Sequence, residues 1–426
     1  MTVDLDDFED AEDLAALLGL PEQLPALHVP PLDELAVTAR ESALLRRVGA
    51  LATWVGERRE VTEDGDLTGP DTAEAAERLG VGQAELLLCW EVALATDLVV
   101  VSEDGEADAN PDLWSTGDDQ EDLGTWTAAF TQVLPSLEID AELAGEEDLD
   151  FGALGSLVLP MFLIRTLGVP VAELREMARE IATEHLEDDV AWDGWVAAHG
   201  DPAAVLLARL AEHGAVEVEE DVARLTPLGL LAMREELVEG GIDIPLLPPL
   251  ADMTATDLLS AVGGLTDDEL TELTDAWLGR AQADERAAAE LLAAAAQAHP
   301  EARLHATTVL GDVPGTPWES VLDDEALRAY ALVALDRELA PADVAWLVVD
   351  LVAATADQLG AYDATAVPEL FGAVVPEGLG EEVLAVAWRL PHPETFEVLT
   401  LIGNHHPDKQ VAKAARTAAH KARSAG

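Results

Sequence analysis

Apolar residues return every three or four positions through "ELAVTARESALLRRVGALATWVGERR", with Leu44, Val48, Leu51 and Val55 on one face. This spacing predicts the first amphipathic helix. Ahead of it the pattern is missing. Seven acids crowd the first thirteen positions, and the prolines of "PEQLPALHVPPLDE" favour extended chain, so residues 1–35 read as an acidic leader. A second helical run, Thr72 to Glu91, carries Ala75, Leu79, Val81, Leu86 and Cys89 at its apolar positions. It breaks at Gly80, where a left-handed backbone would turn the chain. The period then changes: Val99 to Val101 is β-branched, and "SEDGEADANP" after it predicts a hairpin with a glycine-containing tip.

Between 136 and 150, "SLEIDAELAGEEDLD" holds seven acids and no base and predicts a connector. From 151 to 245 the helical runs "LVLPMFLIRTLG" and "PVAELREMAREIATEHL" lead into "DPAAVLLARLAEHGAVEVEEDVARLTPLGLLAMREELVEGG". That stretch supplies a helix, a glycine stop, two period-two strands and a closing helix. Proline interrupts "GIDIPLLPPLADMTATD", which predicts a linker over 246–256. Residues 257–426 then read as helical, with almost no strand signal. There His299-Pro300-Glu301, His392-Pro393-Glu394 and His406-Pro407-Asp408 each precede an amphipathic run. Proline at a first helical position gives up only an N–H without a helical partner, and the next acid suits the positive helix end.

Thr72 to Glu91, with Ala76 at the tightly packed fifth position and Gly80 at the ninth, resembles a helix-turn-helix. Together with the helix before it and the hairpin after it, it resembles a winged helix over residues 36–135. The end of the 151–245 module is similar. "HPEARLHATTVLGD" and "HHPDKQVAKAARTAAHKAR" resemble second helices of HEAT-type repeats, at an irregular spacing of about 40 residues. The expected fold class is therefore mainly α: two winged-helix-like modules with small β-hairpin wings, then an irregular HEAT-like α-superhelix over 257–426. The whole resembles the uncharacterised multi-module proteins of high-GC bacteria, which implies an architecture and no activity.

With 426 residues and 49% apolar content the chain is long enough to bury real cores. No run of 18 apolar residues lacks charge, and the acidic first residues differ from a basic signal-peptide start, so a cytoplasmic, non-membrane protein is expected. The single cysteine, Cys89 in "LLLCWEV", excludes disulfides within the chain and cysteine-based metal clusters, and reads as buried. The formal net charge of −62 has three candidate causes: solubility, adaptation to a salty interior, or a negative surface that engages basic partners or mimics nucleic acid. Lysine scarcity beside abundant Ala, Gly, Pro and Arg also matches the codon bias of a high-GC genome.

Catalytic patterns are missing. There is no G-x-x-x-x-G-K-[ST] loop and no lysine before residue 409 to serve one; no G-x-G-x-x-G follows a strand, and neither G-x-S-x-G nor H-E-x-x-H occurs. A non-enzymatic protein without cofactors is expected. Two metal-site possibilities fade on inspection. His405 and His406, with His392 and His420 nearby, include adjacent side chains that diverge on a helix. Glu103, Asp104, Glu106, Asp108, Asn110 and Asp112 lack the spacing of a calcium loop. Among ten tryptophans, Trp54, Trp90, Trp277, Trp346 and Trp388 sit in apolar runs as core filler, and Trp114, Trp126 and Trp318 lie near polar loops as weaker contact candidates.

The helix in the reading position, "GQAELLLCWE", offers Gln83, Glu85 and Glu91 and no base. Residues 102–123 carry nine acids and no base, which would repel a phosphate backbone. Arg165, Arg175, Arg179 and Arg209 of the second module stand among acids. Direct DNA binding is not expected of either module. All three lysines, Lys409, Lys413 and Lys421, lie in the last run. Lys409, Lys413, Arg416, His420 and Arg423 fall at intervals of four and three on one face, opposite Val411, Ala414, Ala415, Ala418 and Ala422. From His405 on the chain is +4, leaving −66 for the rest. Two readings stay open: the cations cover acidic helices of their own unit, or they form an exposed patch that docks an acidic partner or RNA. The expected function is non-enzymatic protein–protein interaction or scaffolding with another protein, basic where the acidic surfaces do the binding. The alternative is a nucleic-acid-linked regulator, through the basic last helix or through an acidic surface acting as a DNA mimic.

Overall fold

The structure is a computed structural model that describes residues 20, 23–102, 104–146, 148–186, 189–280, 285–355, 364–376 and 378–425. Mainly helical, it carries two small three-stranded antiparallel sheets. It divides into two compact units: Val29–Glu239, and Gly240–Gly426 together with the segment ending at His28.

In the first unit the predicted opening helix is two helices, α1 (Leu32–Arg40) and α2 (Ala43–Val55). Ser42 causes the break: its backbone leaves the helical region and its Oγ accepts the Leu45 N–H at 3.4 Å, supplying a cap. The periodic positions Leu44, Val48, Leu51 and Val55 are buried, as their spacing predicts. Strand β1 (Arg59–Glu60) leads to α3 (Gly69–Leu79) and α4 (Gln83–Ala95), separated by Gly80 at φ +69°. That is the left-handed turn the sequence requires. β2 (Val99–Val101) and β3 (Glu106–Ala109) form the expected hairpin, and β1 adds to the far edge of β3, with Arg59 opposite Ala107.

After α5 (Asp119–Val133), the expected connector over 136–150 holds a helix, α6 (Leu137–Ala144). Leu137 and Ala141, four apart, are buried, while Glu138 and Glu142 face solvent. The acid count hid an apolar stripe only two residues wide. The unit continues with α7 (Val158–Leu163), β4 (Val169–Pro170), α8 (Val171–Ala182), α9 (Val190–His199), α10 (Pro202–His213), the hairpin β5 (Val216–Glu219) and β6 (Val222–Leu225), and α11 (Pro227–Glu239). Helix α10 packs on α2, α5 and α6, and α11 on α1. The residues assigned from sequence to two modules therefore share one core.

The second unit starts from two distant segments. Gln23 bridges Asp243 and Leu27 bridges Leu246 in parallel, with hydrogen bonds from Leu24 N to Asp243 O (2.9 Å) and from Leu27 N to Pro245 O (2.8 Å). Leu24, Ala26 and Leu27 are buried, as are Ile242, Ile244 and Met253. The described end of the expected leader is thus core material, as are Ile242 and Ile244 just ahead of the expected 246–256 linker; within that linker Met253 and Ala255 are buried and the other residues are partly or fully exposed. Residues 1–19, 21 and 22 lie outside the described residues.

α12 (Ala255–Ser260), α13 (Asp267–Arg280), α14 (Glu285–Ala295), α15 (Pro300–Gly311) and α16 (Arg328–Ala334) surround a core that includes Leu258, Trp277, Leu291, Ala306 and Leu310. α17 (Pro341–Ala353), α18 (Val367–Val374), α19 (Gly380–Ala387), α20 (Thr395–His405) and α21 (Lys409–Ala425) surround another, built on Val348, Val352, Phe371, Leu399 and Ile402. Pro300 opens α15 at its first turn as expected. At the other two His-Pro-acid sites the proline stays in the turn ahead of the helix. There the histidine Nδ1 accepts the N–H two residues on, Glu394 (3.1 Å) or Asp408 (3.2 Å). Among the described residues no helix is long and apolar enough to cross a membrane.

Candidate functional site

Three places merit scrutiny: the helix in the reading position, the buried polar clusters, and the last helix. Helix α4 contacts α2, α3, α5 and α6. Leu86, Leu88, Cys89, Trp90, Val92 and Ala93 are all buried, and the face left open, Gln83, Leu87, Glu91, Leu94 and Ala95, carries no base. Burial also pushes the Cys89 thiol up to about 12, so it is inert at neutral pH. The bases of the second expected module are engaged within the unit. Arg175 pairs with Asp201, Arg179 with Glu176 and with Asp189 (2.6 Å), and Arg209 with Asp140 (2.6 Å). Arg165 is buried enough that its pKa falls to about 10.

Buried polar groups tie helices together. Asp122, 0% exposed, accepts Arg40 Nε at 2.5 Å and the Thr116 N–H at 2.9 Å. Burial works to raise its pKa, but these donors outweigh it and hold the carboxyl below its ordinary value. His213 of α10 stacks on Trp126 of α5 with centroids 4.2 Å apart. Its Nε2 donates to Trp126 O (3.0 Å) and its Nδ1 accepts from Ser42 Oγ (3.2 Å). Desolvation lowers its pKa to about 3, so it is neutral. Trp126 and Trp318, expected near polar loops, are core residues.

In the second unit Asp350 of α17, 0% exposed, pairs with Arg303 of α15 and accepts Tyr330 Oη at 2.6 Å. Because His392 Nδ1 already accepts the Glu394 N–H, its proton lies on Nε2 and goes to Asp350 Oδ1 (3.0 Å). Arg303 also donates to the carbonyls of Ala295 (3.3 Å) and Ala298 (2.7 Å). Burial, then the Asp350 charge, raises the Tyr330 phenol. Every member has partners and the cluster lies inside the unit, which is the signature of a structural tie.

The last helix differs from both. Ala412, Ala415, Ala418 and Ala419 are buried against α19 and α20, with Val411, Ala414 and Ala422 half-buried beside them. Gly403 of α20 permits the close approach: a Cβ there would lie 2.7 Å from Arg416 Cγ and 3.2 Å from its backbone nitrogen. Lys409, Lys413, Arg416, His420 and Arg423 are all exposed, as their spacing predicts. Lys413, Arg416, Thr417, His420 and Lys421 line a shallow depression of about 390 Å³.

Among the described residues, the arginines in ion pairs all lie at or before Arg337. None of the five bases on α21 joins one, although the helices beneath carry exposed Glu381, Glu382 and Glu397. Arg416 donates instead to Gly403 O. Sequence reasoning missed three members of this surface. Trp388, half-buried after α19, has the Arg389 guanidinium 4.2 Å and the Lys421 ammonium 5.7 Å from its ring centroid; Arg423 lies 5.9 Å from that of Phe396. The signal was the Trp388-Arg389 pair, legible only once α19 is known to flank α21.

A cleft of about 420 Å³ in the first unit has an apolar floor of Leu44, Leu88 and Val205, and its Arg47 is held by Glu85 (3.0 Å) and Glu212 (2.5 Å). Among the described residues no group of three or more His, Cys, Asp or Glu is arranged to hold a metal. His392 is committed to Asp350, and His406 meets Phe371 edge-on at 5.1 Å. Asp108 accepts the Arg58 N–H at 2.9 Å, within its own sheet; Glu103 lies outside the described residues. Comparison of the chain with protein-family models, with curated proteins and with solved structures finds no match.

Proposed function

We propose that the protein is a non-enzymatic, cytoplasmic interaction protein that docks the acidic surface of another protein on its last helix. One observation carries this reading. In a chain with 85 acids and 23 lysines plus arginines, the outer face of α21 gathers a row of exposed bases that join no ion pair among the described residues. Most arginines up to Arg337 are drawn into carboxylate pairs, so a cluster of bases that stays open in such surroundings is available for an anion from outside.

In this reading the first unit is two winged-helix-like elements fused through a shared core, used for packing rather than for reading nucleic acid. Support comes from the absence of bases on α4 and the internal pairing of Arg175, Arg179 and Arg209. The second unit is an irregular HEAT-like superhelix closed by α21, supported by its packed consecutive helices such as α20 with α21. A nucleic-acid partner is the second reading, favoured by Trp388 held beside Arg389 and Lys421, since bases stack on aromatic rings flanked by cations.

The test is binding of fluorescent polyglutamate to the full chain, followed by anisotropy against salt. Binding that weakens with salt and is lost in the double variant Lys413→Glu/Lys421→Glu supports the proposal. No binding at low salt overturns it.

A further inference from the structure

Resting on that reading, we infer that the natural occupant of this face is an amphipathic acidic α-helix of the partner, lying along α21. Spacing, shape and charge each favour that occupant.

The first is spacing. Lys409, Lys413, Arg416, His420 and Arg423 rise by alternating steps of four and three residues. At 1.5 Å per residue those steps are about 6 and 4.5 Å, and the strip is about 21 Å long. A second helix with carboxylates at i, i+4, i+7, i+11 and i+14 repeats the same steps, so every row meets a row. An extended peptide offers same-face carboxylates only every ~6.6 Å. Over four steps it runs about 5 Å out of register, beyond the reach of a close ion pair.

The second is shape. Only the outer ridge of α21 is open, because Ala412, Ala415, Ala418 and Ala419 are sealed on α19 and α20. A helix with side chains is about 10–12 Å across and its packed neighbour lies 8–10 Å away. The DNA major groove is about 12 Å wide and accommodates one helix, not a pair. A ridge also lacks the enclosing walls with which single strands are held. What a ridge fits well is the face of another helix. Trp388 and Phe396, half-buried at its border, supply apolar surface beside the charges for that helix's non-polar side.

The third is charge. Arg389 with Lys409, Lys413, Arg416, Lys421 and Arg423 of α21 gives six fixed positive charges on a body whose remaining sequence is strongly negative. A ligand whose carboxylates are confined to one short ridge is neutralised completely by the strip. A nucleic acid extends past the ~21 Å strip and brings unneutralised phosphates up to the acidic surroundings, a repulsion that grows with its length. The favoured anion is short, patterned and sparse in charge.

The experiment uses the full chain and three labelled probes at low salt. One is a 20-residue alanine-based helical peptide with glutamates at the five matching positions. The second has the same composition with the glutamates scattered around the helix. The third is a 20-nucleotide oligouridylate. The expected result is at least ten-fold tighter binding of the patterned peptide than of either other probe. That binding should fall more than ten-fold in Lys413→Glu/Lys421→Glu and persist in Lys413→Arg/Lys421→Arg, with circular dichroism unchanged in both variants. Equal affinity for the two peptides overturns the helix assignment and leaves acidic docking in place. Tighter binding of oligouridylate overturns the choice of a protein helix. Failure of both peptides together with polyglutamate overturns the docking surface itself.

Discussion

Helix α4 and helix α21 reverse each other's roles. α4 stands where a helix-turn-helix would place its reading helix, yet its side chains are large, apolar and buried on several sides, and none is basic. α21 occupies no recognised reading position, yet small alanines anchor it along one stripe and its bases all point outward. Topology alone would have pointed to α4, whose open face carries no base. What qualifies a helix for contact is which of its faces neighbouring elements leave uncovered and what those faces carry.

That contrast can be broken or sharpened by measurement. The largest effect is expected from Trp90→Ala in α4: Trp90 is about 1% exposed, and its loss should destabilise the first unit by about 3–5 kcal/mol in denaturant titration. A loss under about 1 kcal/mol would mean that the inner face of α4 is not packed in the core.

Next comes pH. His213, whose pKa falls from 6.5 to about 3 on folding, binds its proton more readily in the unfolded chain. Stability should therefore be intact above pH 6.5 and fall by about 1.4 kcal/mol per pH unit down to pH 3. His213→Gln should remove that slope from hydrogen-exchange protection of α5 and α10, at lower stability overall.

On α21 the expected stability change is small. Lys413→Ala/Lys421→Ala should move the unfolding midpoint by less than the equivalent of about 0.5 kcal/mol while weakening polyglutamate binding. Stability loss comparable to that of Trp90→Ala would show these lysines to be structural. The smallest effect tests α4 from the other side: Gln83→Lys/Glu91→Lys should produce no measurable affinity for duplex DNA, because two added bases do not offset the nine acids of residues 102–123. Gained binding would restore α4 as a reading helix.

Strong, local patterns were legible. The Gly80 turn, both β-hairpins and the cationic row of α21 all follow from spacing within a few residues. β1 (Arg59–Glu60) and β4 (Val169–Pro170) were not, because two residues carry no period and such strands exist only through the partner they join. α6 was masked by its carboxylates, and Trp126 by the distance in sequence to the His213 ring that covers it. The site was half legible. Sequence gave the row of bases; whether anything covered them, and that Trp388 and Arg389 stand at their edge, depended on packing.

The pairing of residues 23–27 with 243–246 has a consequence for how the protein is made. The first unit is inserted between two parts of the second. On a ribosome adding about 5–20 residues per second, the early segment waits on the order of tens of seconds for its strand partner. The inserted unit has all of its own sequence by then and can fold first. The second unit nucleates late, and its long-range pairing raises the loop-closure cost unless the folded insert has already brought the two ends together. A refolding experiment should find α4 and α10 protected before residues 23–27.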